Sequence, residues 1–153
     1  MPAVTGSAPG ATDSTTVDAA ARLRLAVTRL ARRLRQEAEA GVSPTGLAAL
    51  ATIERDGPIT LGALARIERV QPPTVTAAVT RLEELGLVTR RPDPADRRVT
   101  HVTATTAGRR LLARSRSRKN AYLDRRLRAL SPDDRATLQR AAVILERLLE
   151  EPE

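Results

Sequence analysis

The sequence has no cysteine, tryptophan or phenylalanine, and one methionine, one tyrosine and one histidine among its 153 residues. Without cysteine there is no disulfide, no thiol nucleophile or redox sensor, and no zinc-finger ligand set. A single histidine, His101, leaves multi-histidine metal sites and most Ser-His-Asp arrangements without their parts. The dearth of aromatics removes the platforms on which unpaired bases stack, which argues against RNA or single-stranded DNA as a target. There is no Gly-rich phosphate loop, and no cluster with a base, an orienter and a nucleophile. No enzymatic activity, metal or cofactor is therefore expected. No stretch reaches the roughly 20 apolar residues of a membrane span, and no basic region followed by an apolar one opens the chain. The expectation is a cytoplasmic protein with no membrane partner.

What is present is basic and aliphatic. The net charge is +8, and all but Lys119 of the 26 basic residues are arginines. A GC-rich genome accounts for arginine over lysine but not for the basic excess, which is the electrostatic footprint of a polyanion partner. Hydrophobic residues make up 41%, so a core can form, built from Ala, Val, Leu and Ile. The length suits one domain, or one domain with an extension.

Residues 1–16 are Ala, Thr, Ser, Gly and Pro with almost no large apolar side chain, the composition of a disordered tail. From Val17 to about Ala40, Leu23, Val27, Leu30 and Leu34 recur at helical spacing between arginines, with Gly41 as the stop. Ser43 and Pro44 then pair as cap and first-turn residue. Leu47, Leu50 and Ile53 give the following helix its inner face, and Gly57-Pro58 ends it. Thr60 caps a short helix with Leu61, Leu64 and Ala65 inward. Pro72 opens a fourth helix, Pro72–Leu85, with Val75, Val79, Leu82 and Leu85 on one face and Gly86 at its end. Two short helices and a tight turn make a helix-turn-helix.

After Gly86, LVTRR and VTHVTAT are rich in β-branched residues and flank the turn-forming PDPADRR. A helix followed at once by a hairpin with a basic tip is a winged helix. Thr105 caps a long helix to about Leu130, and Ser131, Pro132 and Asp134 read as the cap of a final helix to about Glu150. That last helix carries Leu138, Ala142, Leu145 and Leu149 on one stripe. Together with Tyr122, Leu123, Leu127 and Leu130 this is more apolar helix surface than a small winged helix can cover. A second copy of the chain is the economical partner, and a two-fold dimer suits a palindromic site. The expected fold is thus mainly α with a small β-hairpin wing: a winged helix-turn-helix over 42–105, and a helical dimerisation region over 17–41 and 106–150.

At 100° per residue, the face of the Pro72–Leu85 helix opposite its apolar stripe carries Pro73, Thr74, Thr76, Ala77, Thr80 and Arg81, with Glu84 at the far end. Short, hydroxyl-bearing and uncharged residues permit close approach to base edges, and threonine or alanine methyls can touch a thymine methyl. Glu84 would repel phosphate, so the reading end is the N-terminal half, where the helix dipole also favours the backbone. Arg81 suits a phosphate better than a guanine, since most protein–DNA bonds go to the backbone. On the wing, Arg97 and Arg98 suit the narrow, negative minor groove. Asp96 beside them serves as the support that orients an arginine. His101 reads as a surface residue or a phosphate contact.

GLVTRRPDPADRRVTHVTATTAG resembles the wing signature of the MarR family of bacterial transcriptional regulators: G-L-V, D-x-x-D-R-R, a strand, then a threonine and a glycine. The resemblance runs from Val17 to about Glu150. It implies a triangular homodimer with interlocked terminal helices, and a recognition helix, Pro72–Leu85, in the major groove. It places the family's D-x-R pair on Asp96 and Arg98, with Arg98 in the minor groove. It also implies a repressor released by a small-molecule effector bound between the dimer helices and the DNA-reading lobe. Ala104 stands where the family usually has leucine, and only Tyr122 and His101 are on hand for the aromatic and histidine lining of phenol-binding members. The function expected is a dimeric, sequence-specific regulator of double-stranded DNA. The alternative is a basic architectural protein with little sequence preference, whose affinity would come from phosphates alone.

Overall fold

A computed structural model describes residues 11–37 and 41–150, with side chains from Thr16 onward. The chain divides into two units, residues 1–36 and residues 37–153.

The first unit is a helix, α1, Ala11–Gln36. It begins six residues before the expected start, so Ala11–Thr16 belong to the helix and not to a disordered tail. Ser and Thr cost a helix only a few tenths of a kcal/mol each, which a helix already propagating from Val17 absorbs. Residues 1–10 of the expected tail lie outside the described residues, as do 38–40, where the helix was expected to end. Leu23, Val27 and Leu30 are 44–47% exposed.

The second unit opens with α2, Pro44–Asp56. The Ser43 hydroxyl accepts from the Gly46 amide at 3.1 Å, and Pro44 fills N1, where a missing N–H costs nothing. β1, Ile59–Thr60, precedes α3, Leu61–Glu68, whose first turn Thr60 caps. α4, Pro72–Glu84, follows, then β2, Val88–Pro92, and β3, Thr100–Ala104. α5, Thr106–Arg128, and α6, Pro132–Glu150, complete the unit.

The wing is a three-stranded antiparallel sheet in the order β1-β3-β2, not the two-stranded hairpin expected from sequence. β1 pairs Ile59 with Val102 and Thr60 with His101. Two residues are too few for alternation to show in a sequence, so β1 was not foreseen. β2 and β3 pair from Val88 opposite Ala104 to Pro92 opposite Thr100.

The core sits beneath α4. Leu50, Ile53, Leu64, Val79, Leu82 and Val102 are at most 1% exposed, and α5 adds Leu111 and Leu112 to the same cluster. Ala104 is buried there too. Leu85, expected on the inner face of α4, is 38% exposed: the helix ends first, and the chain turns through Gly86 at φ +68°. The Leu87 amide then bonds the Leu82 carbonyl at 2.9 Å and the Gly86 amide bonds that of Glu83 at 2.9 Å. This is the closure of a helix whose C′ residue is left-handed, with apolar residues at C3 and C″.

α5 meets this corner closely. The Thr105 hydroxyl donates to the Gly86 carbonyl at 2.7 Å and accepts from the Gly108 amide at 3.1 Å. A Cβ on Gly108 would overlap the Leu87 carbonyl and press on Leu50. α6 differs from the other helices of this unit: none of its residues is buried. Leu138, Val143, Ile144 and Leu148 are 47–56% exposed.

Candidate nucleic-acid interface

α4 is oriented by its apolar stripe. Val75, Val79 and Leu82 are buried, so the helix turns its other side outward. Pro73, Thr74, Thr76, Ala77, Thr80 and Arg81 are all exposed, as the spacing required. They form one surface, and the structure adds what each polar group is already doing.

The Thr76 hydroxyl donates to the carbonyl of Pro72, one turn back, at 3.0 Å. Thr80 accepts a hydrogen bond at 2.8 Å from Arg90 of β2. Arg81 lies 2.9 Å from Glu84, and both side chains are more than half exposed. An exposed pair of this kind is worth roughly 0–1 kcal/mol, so Arg81 can leave it for a phosphate at little cost. Glu84 is correspondingly less repulsive than the sequence suggested.

The start of α4 also differs from a typical anion-binding helix end. Pro72 and Pro73 have no N–H, and the Thr74 amide bonds the Gln71 carbonyl at 2.9 Å. The first three helical residues thus offer a ligand the field of the dipole without hydrogen-bond donors.

The wing turn, residues 93–99, is held by two aspartates. Asp93 Oδ1 accepts the amides of Ala95 at 2.7 Å and Asp96 at 3.0 Å, while its Oδ2 lies 2.9 Å from His101 Nε2. These bonds, led by the Asp96 amide, hold the Asp93 carboxyl below the usual carboxylate range. The Asp93 amide bonds the Val99 carbonyl at 2.8 Å and the Val99 amide that of Asp96 at 2.9 Å, closing the turn.

Asp96 accepts from the Arg98 amide at 3.0 Å and from its guanidinium at 3.1 and 3.3 Å. The guanidinium bond, then the amide, depresses the Asp96 carboxyl in the same way. Arg98 is nonetheless 92% exposed. A guanidinium has five N–H donors, and this pairing occupies only its Nε and one terminal nitrogen. Asp96 therefore stands where the sequence put it, as the support of Arg98, and Arg97 is exposed beside them.

Two residues escaped the sequence reading. Asp93 was noted within the motif but given no task, although an Asp that opens a turn commonly bonds amides two and three residues on. Arg90 looked like one more charge in a basic strand, and no local pattern could tie it to Thr80, ten residues away. His101, read as a surface residue or a phosphate contact, is half-buried against Asp93.

Among the described residues, no group of three or more His, Asp or Glu could hold a metal ion. No described helix is long and apolar enough to cross a membrane.

The MarR family model matches residues 42–100, from the end of the α1–α2 connection to the start of β3. An uncharacterized HTH-type transcriptional regulator of Mycobacterium leprae is 39% identical over 133 residues, 86% of this chain and 93% of the relative. Among solved structures, a candidate transcriptional regulator of Pseudomonas aeruginosa is 35% identical, with a TM-score of 0.80 over 90% of this chain and 98% of that one. A mutant of Staphylococcus aureus MepR bound to an oligodeoxyribonucleotide shares the fold at 18% identity, with a TM-score of 0.66 over 85% of this chain and 96% of that one. With the helix-turn-helix, the wing and the identity to a near-full-length relative in agreement, the chain belongs to the MarR family and is a winged-helix, DNA-binding transcriptional regulator.

Proposed function

We propose that the protein is a homodimeric, sequence-specific repressor that grips a palindromic operator. The outer face of α4 lies in the major groove and Arg98 in the minor groove. The observation that carries this reading is Arg98 itself: a guanidinium 92% exposed at the tip of the wing, directed by two bonds to Asp96, which also accepts the Arg98 amide. The pair is exposed and weak like that of Arg81, so Arg98 can exchange it for DNA acceptors, and its outward bias lowers the ordering left to be done on binding. The outer face of α4 supports base reading, because it is short and hydroxyl-rich where a coating protein would place lysine and arginine. A MepR mutant of like fold is bound to an oligodeoxyribonucleotide, which supports DNA as the ligand.

Dimerisation is supported by the unburied apolar residues of α6. A two-fold pair spaces its recognition helices for half-sites about 10 bp apart. A dimer across an operator blocks transcription, and a small molecule lodged among the dimer helices would alter that spacing and release the DNA.

The test is selection of bound duplexes from a random pool, followed by titration of the winner with Arg98→Ala. A palindrome is expected, together with a loss of affinity of about tenfold or more for the variant, the order of one good groove contact. Equal competition by random duplex would make the protein an architectural one. Undiminished binding by Arg98→Ala would remove the wing from the interface.

A further inference from the structure

The contact between Arg90 and Thr80 joins the wing to the outer face of α4. Arg90 sits in the middle of β2, opposite Val102 of β3. One terminal nitrogen donates to Thr80 Oγ1 at 2.8 Å, and Nε lies 3.2 Å from Glu83 Oε2. The side chain is only 26% exposed, and its Nε is fully buried and makes no hydrogen bond, so its tie to Glu83 is ionic. One guanidinium thus spans two residues of α4 that lie one turn apart, and it is the one arginine of the wing strands held in this way.

This fixes the chemistry of Thr80. A hydroxyl has one proton and two lone pairs, and can rotate to serve as donor or acceptor. Here a cationic N–H occupies one lone pair of the oxygen, so the hydroxyl proton points away from Arg90. Donation by a cation polarises the O–H and makes it a better donor to the next partner. Among the described residues that proton has no acceptor. Thr76, one turn earlier, is set the opposite way: its proton is spent on the Pro72 carbonyl, which leaves a methyl and oxygen lone pairs to face outward.

We propose that Arg90 is a positioning residue for DNA reading, which biases Thr80 toward donating its hydroxyl proton to an acceptor atom of the DNA. This rests on α4 being the recognition helix. The acceptors within reach of such a donor are purine N7, guanine O6, thymine O4 or a phosphate oxygen. Cytosine and adenine amino groups are disfavoured, because they can use only the one lone pair that Arg90 leaves on the Thr80 oxygen.

The experiment is a double-mutant cycle on the full-length protein and its selected duplex, read as Kd by fluorescence anisotropy and as base preference at each operator position. Thr80→Val, which keeps the shape and drops the hydroxyl, is expected to weaken binding about tenfold, and Thr80→Ser to restore it. Arg90→Met is expected to weaken binding severalfold when Thr80 is present and to add nothing beyond Thr80→Val, a coupling that two independent residues do not show. Far-UV circular dichroism and the unfolding midpoint accompany each variant. If Arg90→Met does not fold, Arg90→Lys, which keeps the charge without the second arm of the guanidinium, enters the cycle with the same coupling expected. A base acceptor appears as loss of preference at one position, and a phosphate acceptor as an equal loss on every sequence; either supports the proposal. Losses from Arg90 and Thr80 that simply multiply would overturn it, as would Thr80→Val binding like the parent. A parent protein that selects no sequence at all would instead sink the recognition-helix reading on which the proposal stands.

Discussion

At the scale of single residues, the wing depends on two aspartates that serve different ends. Asp93 closes the turn through backbone amides, and Asp96 aims Arg98. Both carboxyls titrate below their unfolded values. For a group depressed on folding, the stability it contributes is fully present above the unfolded value, about 4 for Asp, and is lost as pH falls through the lower folded value. The wing should therefore be unchanged between pH 7 and about 5 and should loosen only below about 4. Amide chemical shifts of Ala95 and Arg98, followed through an acid titration, check this: a midpoint above about 5 would show that the two aspartates do not set the pH response of the turn. Gly108 makes a second prediction. Gly108→Ala places a Cβ on the Leu87 carbonyl, so the helix gain of alanine is outweighed. Urea unfolding should show a loss of about 1–3 kcal/mol, as for other overpacked sites, and a stabilised variant would mean that α5 can shift away from the corner. The importance of the motif's threonine and glycine could be seen in the sequence, but the carbonyl they meet could not.

At the scale of elements, the helix boundaries followed local chemistry. Ser43, Thr60 and Thr105 each accept from an amide three residues on, at 3.1–3.2 Å, as the sequence indicated. Thr105 does more than the other two, because its hydroxyl also donates to the Gly86 carbonyl and so ties the start of α5 to the end of α4. Removing a cap costs about 1 kcal/mol, and removing the second bond as well leaves a backbone carbonyl short of a partner. Thr105→Ala should thus destabilise the unit by about 2 kcal/mol, against about 1 for Ser43→Ala. Equal losses in paired urea titrations would show that the bond to Gly86 contributes nothing. The element the sequence hid was β1. Its two residues join the sheet only because β3 presents an edge to them, and an edge is a property of the fold. The early start of α1 was hidden for a related reason: composition marks residues that cannot build a core, yet a helix needs none to continue by a turn or two.

At the scale of the whole molecule, the exposed apolar side chains of α6 are the feature one chain leaves unsettled. Leu138 and Leu148 are 47% and 56% exposed. If a second copy covers them, Leu138→Glu with Leu148→Glu should give a monomer by analytical ultracentrifugation, with the winged-helix unit still folded and binding to the palindrome sharply reduced. A dimer that survives this double substitution would place the interface elsewhere. The sequence by itself determined the helix order, the caps, the inner and outer faces of α4, and that Asp96 supports an arginine of the wing. These follow from periods of a few residues and from side chains that bond their own backbone, so they are written locally. Only the tertiary structure decided the third strand, the close seat of Gly108 and the state of the polar groups on α4. Thr76 and Thr80 are the same residue on the same face, yet one has spent its proton on the Pro72 carbonyl and the other receives one from Arg90. That difference comes from a strand folded back against the helix, and no spacing along the chain records it.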